Sequence, residues 1–348
     1  MDDARARETV LAAFRTYGAA DSPVEIQAAR APVSTNRVYR LALRGRPNVY
    51  AKISSYGSFV HFRQDHQRIE QWRRLFRGTR YESFLAPVLS SGDDVYTYHA
   101  GDAWVAFYEE VPTRASLPRV LSEAQIATLA EEMARFHRAS FDVASKLAPT
   151  WKTLGSDIAI LFDALGNPAW LEERGLTASE ARYLRDHCNL FLRNADRLHY
   201  ADLPKFPVLI DWNIGNFSVT DTGEHFELFS RWDYDWFRIE PRVLDFYFLS
   251  RVSSGVGDRT RFSYFPETLL EPRFELFLRH YHALFPLKEE EVRFLREAYR
   301  FFILNYVVRS GEHFFKRELY ERLLLEAIDL HLPMVDRLDM GPLVACIS

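Results

Sequence analysis

The sequence predicts an α+β protein in two lobes, an antiparallel sheet first and a mainly helical body after it. Three observations carry this expectation. The first third holds short β-prone runs separated by Gly, Pro and Asn clusters. Most of the remainder holds apolar residues at helical spacing among charged ones. A single strand-like island, residues 206–236, interrupts the helices. Strands gathered at one end and helices at the other mark the α+β class. The boundary falls near Glu110–Thr113, giving lobes of residues 1–110 and 111–348. With 348 residues, 47% of them hydrophobic, the chain can build two cores.

Residues 5–18 read as a short helix. Val38–Leu43 and Val49–Ile53 flank the turn cluster Arg44-Gly45-Arg46-Pro47-Asn48, which predicts a hairpin. Phe62, Ile69, Trp72, Leu75 and Phe76 then recur at mostly helical spacing, predicting an amphipathic helix over 60–77. Val95–Tyr98 and Trp104–Tyr108 form a second hairpin around Ala100-Gly101-Asp102, and Pro112 closes it because proline gives no donor to a ladder. Ser122 with Gln125 is a capping box, and Ile126, Leu129, Met133 and Phe136 stripe the helix behind it. Thr177 with Glu180 opens another helix, through about Leu198. Periodic segments over 289–315 and 319–328 complete the helical body.

Composition narrows the function. A net charge of −4 gives no general attraction to nucleic acid. Two cysteines, Cys188 and Cys346, suit neither a disulfide framework nor a multi-cysteine zinc site, so a reducing, cytoplasmic setting is expected. The first residues lack the pattern of a signal peptide, and the greasy run 301–308 is too short to span a bilayer, so no membrane partner is expected. The oligomeric state is not legible.

The chemistry lies in the island. Asp211 and Asn216 share a short loop in Ile210-Asp211-Trp212-Asn213-Ile214-Gly215-Asn216, and a hairpin then delivers Asp233 in Arg231-Trp232-Asp233-Tyr234-Asp235. A carboxylate able to take a proton, beside two oxygen ligands for a hard cation, is what phosphoryl transfer needs.

This segment resembles the active-site core of the aminoglycoside phosphotransferase, homoserine kinase and choline kinase superfamily. That core reads His-Gly-Asp-x-x-x-x-Asn, then a hairpin with an aliphatic-Asp-aromatic-acidic segment, then Pro-x-x-x-Asp. Asp211 and Asn216 have the required offset, Asp233 stands at the metal-binding Asp, and Pro241 with Asp245 matches the closing element. The likeness runs from about residue 25 to 250. It implies a protein-kinase-like fold that uses ATP and magnesium to phosphorylate a hydroxyl of a small molecule, such as an amino alcohol, amino acid, sugar or aminoglycoside, with ATP between the lobes. It makes Asp211 the base and Asn216 and Asp233 the magnesium ligands. Ser34, Thr35 and Asn36 resemble the nucleotide loop, Lys52 the phosphate-binding lysine, Glu70 its ion-pair partner, and Glu109 and Val111 the hinge that meets adenine. The acceptor pocket would draw on Trp212, Asp235 and Trp236, whose carboxylate and ring faces would favour an acceptor carrying an amine; the alternative is that both tryptophans pack inward and Arg231 or Arg238 recruits an anionic acceptor such as a carboxylate.

Two departures stand out. Leu209 and Ile210 replace the His and Gly of the motif, and no glycine lies between Ala31 and Arg44. A nucleotide-binding regulator without catalysis is therefore a second reading. A protein kinase is disfavoured because only seven residues separate Asp233 from Pro241, too few for an activation segment. Each residue also has a plain role open to it. Asp211 and Asn216 could cap a turn, Asp233 and Asp235 could sit on a hairpin surface, and Lys52 could be solvated. Asp65 competes with Glu70, and His61, His66, His137 and His199 read as structural.

Overall fold

The computed structural model describes residues 3–18, 23–29, 37–256 and 263–348. They form two units, Met1–Thr113 with Ser230–Trp232 and Glu312–Leu319, and Arg114–Phe229 with Asp233–Gly311 and Tyr320–Ser348.

In the first unit, α1 (Asp3–Thr16) is followed by β1 (Glu25–Ala29), β2 (Arg37–Ala42) and β3 (Val49–Ser54). Gly45, at φ +68°, lets the chain reverse between β2 and β3 where a side chain would be strained. Helix α2 (Phe59–Leu75) starts at Ser58, whose hydroxyl accepts from the His61 N–H at 3.3 Å. A small ribbon of β4 (Ser90–Ser91) and β5 (Asp94–Val95) precedes β6 (Thr97–Ala100) and β7 (Ala103–Glu109). The main sheet is antiparallel in the order β1-β2-β3-β7-β6. Alternation along the strands sends Tyr39, Leu41, Ala51, Ile53, Val105 and Phe107 into one core, which Ala6, Val10, Ala13 and Phe14 of α1 join. Strand β1 is not among the elements expected from the sequence. Apart from Ile26 its residues, Glu-Ile-Gln-Ala-Ala, are weak strand formers, and pairing with β2, Ala28 opposite Tyr39, decides the conformation.

The second unit opens with α3 (Glu123–Ala144), whose Ser122–Gln125 capping box is formed in both directions. Then come α4 (Leu154–Ala164), α5 (Pro168–Glu173) and α6 (Ala178–Arg197), the last begun by the Thr177–Glu180 box. The island supplies β8 (Phe206–Val208), β9 (Phe217–Val219), β10 (Leu228–Arg231), whose last two residues are counted with the first unit, and β11 (Arg238–Glu240). Helices α7 (Phe246–Ser253), α8 (Pro272–Leu284) and α9 (Glu289–Phe302) follow. Helix α9 ends sooner than its periodicity predicts, because the chain widens into a π-helical turn over Ile303–Arg309. Among the described residues no helix is long and apolar enough to cross a membrane.

Candidate active site

Strands β8 and β11 pair antiparallel, with Val208 opposite Arg238 and Phe206 opposite Glu240. The chain leaving β8 and the chain entering β11 therefore project from the same end of this ladder. Leu209–Asn216 and Asp233–Phe237 are those two segments. Two tight turns shape the first: the Asp211 N–H donates to Leu209 O at 2.7 Å and the Trp212 N–H to Ile210 O at 3.0 Å. The Asp211 carboxylate is half-buried, and its Oδ1 accepts from Asn213 Nδ2 at 2.5 Å and from the Asn213 N–H at 3.3 Å. Asn216 Nδ2 donates to the Asp211 carbonyl at 3.3 Å, which ties the two ends of the loop together.

The loop is anchored from below by a buried carboxylate. Asp245 Oδ1 accepts from the N–H groups of Leu209, at 3.1 Å, and Ile210, at 2.6 Å. Asp245 Oδ2 accepts from His137 Nε2 at 2.9 Å, and the Tyr281 hydroxyl donates to His137 Nδ1 at 2.8 Å. Burial holds the His137 pKa below its ordinary value despite the opposing pull of Asp245, so the ring is neutral with its proton on Nε2. Tyr281 also lies 3.4 Å from Arg242, whose guanidinium forms a bidentate pair with Glu291 at 2.8 Å. Asp245 and His137 are fully buried.

This clamp explains the departure at Leu209-Ile210. Ile210 has φ +63°, a left-handed conformation that favours glycine. A β-branched residue there is strained by roughly 1–2 kcal/mol. The hydrogen bond from its own N–H to Asp245 and the burial of its side chain offset that strain. Asp233 shares this conformation, at φ +68°, which Asp tolerates better. Its Oδ1 accepts from the Asp235 N–H at 3.4 Å.

Among the described residues no three or more His, Cys, Asp or Glu side chains come together as a metal site. The expected donors, Asn216 and Asp233, are an amide and a carboxylate. Such a small oxygen set fits magnesium, which completes its shell with water and phosphates, better than a metal held wholly by protein.

In the first unit, Lys52 sits in β3 between Val38 of β2 and Ala106 of β7, and it is buried. The expected pairing with Glu70 is not the one observed. The Glu70 carboxylate takes Arg73 Nε and Nη2, both at 2.8 Å, and Arg74 Nε at 2.9 Å. Those arginines lie three and four residues on along the same helix, so they reach the carboxylate without any tertiary contact. Glu109 is exposed, and its N–H donates to Pro87 O at 3.0 Å. Among the described residues the Val111 N–H has no hydrogen-bond partner. Between them Glu110 accepts from Arg40 Nε at 3.0 Å and Asn48 Nδ2 at 2.5 Å, fixing this stretch to β2 and the turn after it. Ser34, Thr35 and Asn36 lie outside the described residues.

Trp212 and Trp236 do not form an open aromatic pocket. Trp212 is fully buried against Phe136 and Phe217. Trp236 packs on Phe248, Phe302 and Tyr306. Both rings are spent on the core, which removes the aromatic support for an amine-bearing acceptor. Asp235 is half-buried. Sequence reasoning passed over Asn213, although an Asn two residues after an Asp is a known local hydrogen-bonding pattern. Glu110 was legible only as part of the hinge-like run, because its partners Arg40 and Asn48 come from the neighbouring hairpin.

No family model matches the sequence, and no curated protein matches it. Solved structures do. An amicoumacin kinase in complex with AMP-PNP, Ca2+ and Ami is similar at TM-score 0.58 and 12% identity, over 92% of this chain and 90% of that one. A Plasmodium vivax ethanolamine kinase is similar at 0.55 and 14%, over 90% and 83%. A microcompartment-associated aminopropanol kinase is similar at 0.53 and 16%, over 87% and 89%. At these identities the likeness establishes the fold, which is the α+β fold of small-molecule kinases.

Proposed function

We propose that this chain is a small-molecule kinase that transfers a phosphoryl group from ATP to an alcohol. The observation that supports it most is the loop at the end of the β8–β11 ladder. There a half-exposed carboxylate, Asp211, is oriented by Asn213 and rests on backbone fixed by Asp245. A general base needs such a fixed orientation toward the proton it takes. Asp211 orients the acceptor hydroxyl and receives its proton. Asn216 and Asp233 hold magnesium in company with the nucleotide, and Lys52 holds phosphates. Bound magnesium supplies neutralisation of the phosphate charge. Val111, with its N–H left available, serves the adenine together with Glu109. The neighbours with the same fold are named for acceptors such as aminopropanol and ethanolamine, so a small hydroxyl compound is the acceptor class.

Replacing Asp211 by Asn tests the reading. Turnover is expected to fall about 100-fold or more, in line with general-base contributions. Affinity for ATP should stay near that of the wild type, because Asp211 does not grip phosphates. Near-normal turnover by a folded Asp211→Asn protein would remove Asp211 from the role. The rival reading, a nucleotide-binding regulator, draws on the strained Ile210. It predicts ATP binding with no transfer to any member of a broad alcohol panel.

A further inference from the structure

Arg251 lies in the last turn of α7, and it is only 5% exposed. Its guanidinium carbon stands 5.4 Å from the ring centre of Phe248 and 5.3 Å from that of Tyr264. Among the described residues its side chain has no hydrogen bond and no carboxylate partner, and its Nη1 is buried without an acceptor. Other buried guanidinium groups in this unit are compensated. Arg242 has Glu291, Arg300 has Glu297, and Arg238 has Asp157. Ring faces attract a cation, but they return only part of the hydration that a buried charge gives up. The Ser263 hydroxyl, one residue before Tyr264, is likewise buried with no partner among the described residues. An unpaired guanidinium and an unpaired hydroxyl are the two kinds of donor that bind a carboxylate or phosphate oxygen.

The position of Arg251 connects it to the Asp211 loop. It is six residues beyond Asp245, the carboxylate that holds Leu209 and Ile210. Phe248, under its guanidinium, touches Trp236 at 5.5 Å between ring centres, and Trp236 follows Asp235 directly. A continuous packed path thus runs from the Asp233–Asp235 segment to Arg251.

We propose that Arg251 receives an anionic group, carboxylate or phosphate, of the hydroxyl acceptor. The acceptor is then a hydroxy acid or a phosphorylated alcohol. This deepens the kinase reading and rests on it for the word acceptor; the anion site itself rests on the unpaired guanidinium.

The test compares wild type with Arg251→Met and Arg251→Lys. Thermal unfolding is followed without ligand, then with glycerate, glycerol phosphate or inorganic phosphate, against chloride at equal ionic strength. Arg251→Met should melt above the wild type when no anion is present, because an uncompensated buried charge has been removed. The wild type should gain stability saturably with the anion, Arg251→Met should gain none, and Arg251→Lys should keep part of the response. A lower melting temperature for Arg251→Met, with the anion response intact, would overturn the site. Should Arg251→Met not fold, the wild-type panel decides alone. Glycerate is set against glyceramide, and glycerol phosphate against glycerol, which separates carboxylate from phosphate. Preference for the uncharged member of both pairs would overturn the proposal while leaving the kinase reading in place. In transfer assays, Arg251→Met should raise KM for the preferred anionic acceptor by roughly 30-fold or more, with no matching rise in KM for ATP. Absence of transfer to every alcohol, with anion binding lost in Arg251→Met, would sink the kinase reading and leave the anion site standing.

Discussion

Glu70 and Asp245 are both buried carboxylates, one in each unit, and they are satisfied in opposite ways. Glu70 is held by two arginines three and four residues away on its own helix. Asp245 is held by groups 35, 36 and 108 residues away, two of them backbone N–H groups of the Asp211 loop and one the His137 ring. Local capture fixes a helix surface. Distant capture fixes the course of the chain, and here it fixes the two residues before Asp211. The course of the chain into Asp211 thus depends on a carboxylate that is itself fully buried.

The sharpest way to break this contrast is to remove Asp245. Asp245→Ala strands two buried backbone donors and leaves the His137 Nε2 proton without its acceptor. Three such losses at about 1–3 kcal/mol each place the destabilisation at about 3 kcal/mol or more. Denaturant unfolding measures it. A cost below 1 kcal/mol would mean that the loop holds its shape without the clamp. Turnover should collapse along with stability.

A smaller effect separates the two residues that Asp245 holds. Leu209 and Ile210 are both buried, so replacing either by Gly forfeits apolar burial. Only Ile210, at φ +63°, gains relief from left-handed strain. Ile210→Gly should therefore cost about 1–2 kcal/mol less than Leu209→Gly, read as the difference in unfolding free energy. Equal costs would show that residue 210 carries little strain.

The same contrast explains what was legible in the sequence. The hairpins, α2 and the capping boxes of α3 and α6 rest on neighbours in the chain, and Ser122–Gln125 and Thr177–Glu180 could be read directly. Strand β1 could not, because most of its residues favour no strand and β2 imposes the pairing. That Asp211 and Asn216 share one loop, joined by the Asn216 side chain, could be read from their spacing; the roles given to them and to Asp233 are proposals. The Glu70–Lys52 expectation failed because a resemblance in position says nothing of Arg73 and Arg74, whose i+3 and i+4 spacing was there to be read. The inward packing of Trp212 and Trp236 was illegible, since a tryptophan beside a loop looks alike whether it faces solvent or core. Arg251 was illegible for the same reason: being unpaired is a property of three-dimensional surroundings.

The smallest effect concerns Glu70 itself. Burial alone would raise its carboxyl, yet Arg73 and Arg74 hold it below the usual carboxylate value. Glu70→Gln keeps the oxygen that takes Arg73 Nη2 and Arg74 Nε but loses the charge and sets an NH2 group against Arg73 Nε. Two charge-assisted hydrogen bonds become ordinary ones and a third is lost, at a net cost of only about 1 kcal/mol because both arginines stay partly solvated. The sign with pH follows from the depressed value. The ionised pair stabilises the fold above the unfolded carboxyl's 4.5 and loses that advantage as pH falls through the lower folded value. The stability gap between wild type and Glu70→Gln should therefore be full at neutral pH and close in acid. If the arginine clamp is the whole role of Glu70, ATP affinity is unchanged in this variant, and Asp65→Asn is the better probe of Lys52. Weakened ATP binding by Glu70→Gln at unchanged melting temperature would instead return Glu70 to the lysine, and the contrast with Asp245 would lose its local half.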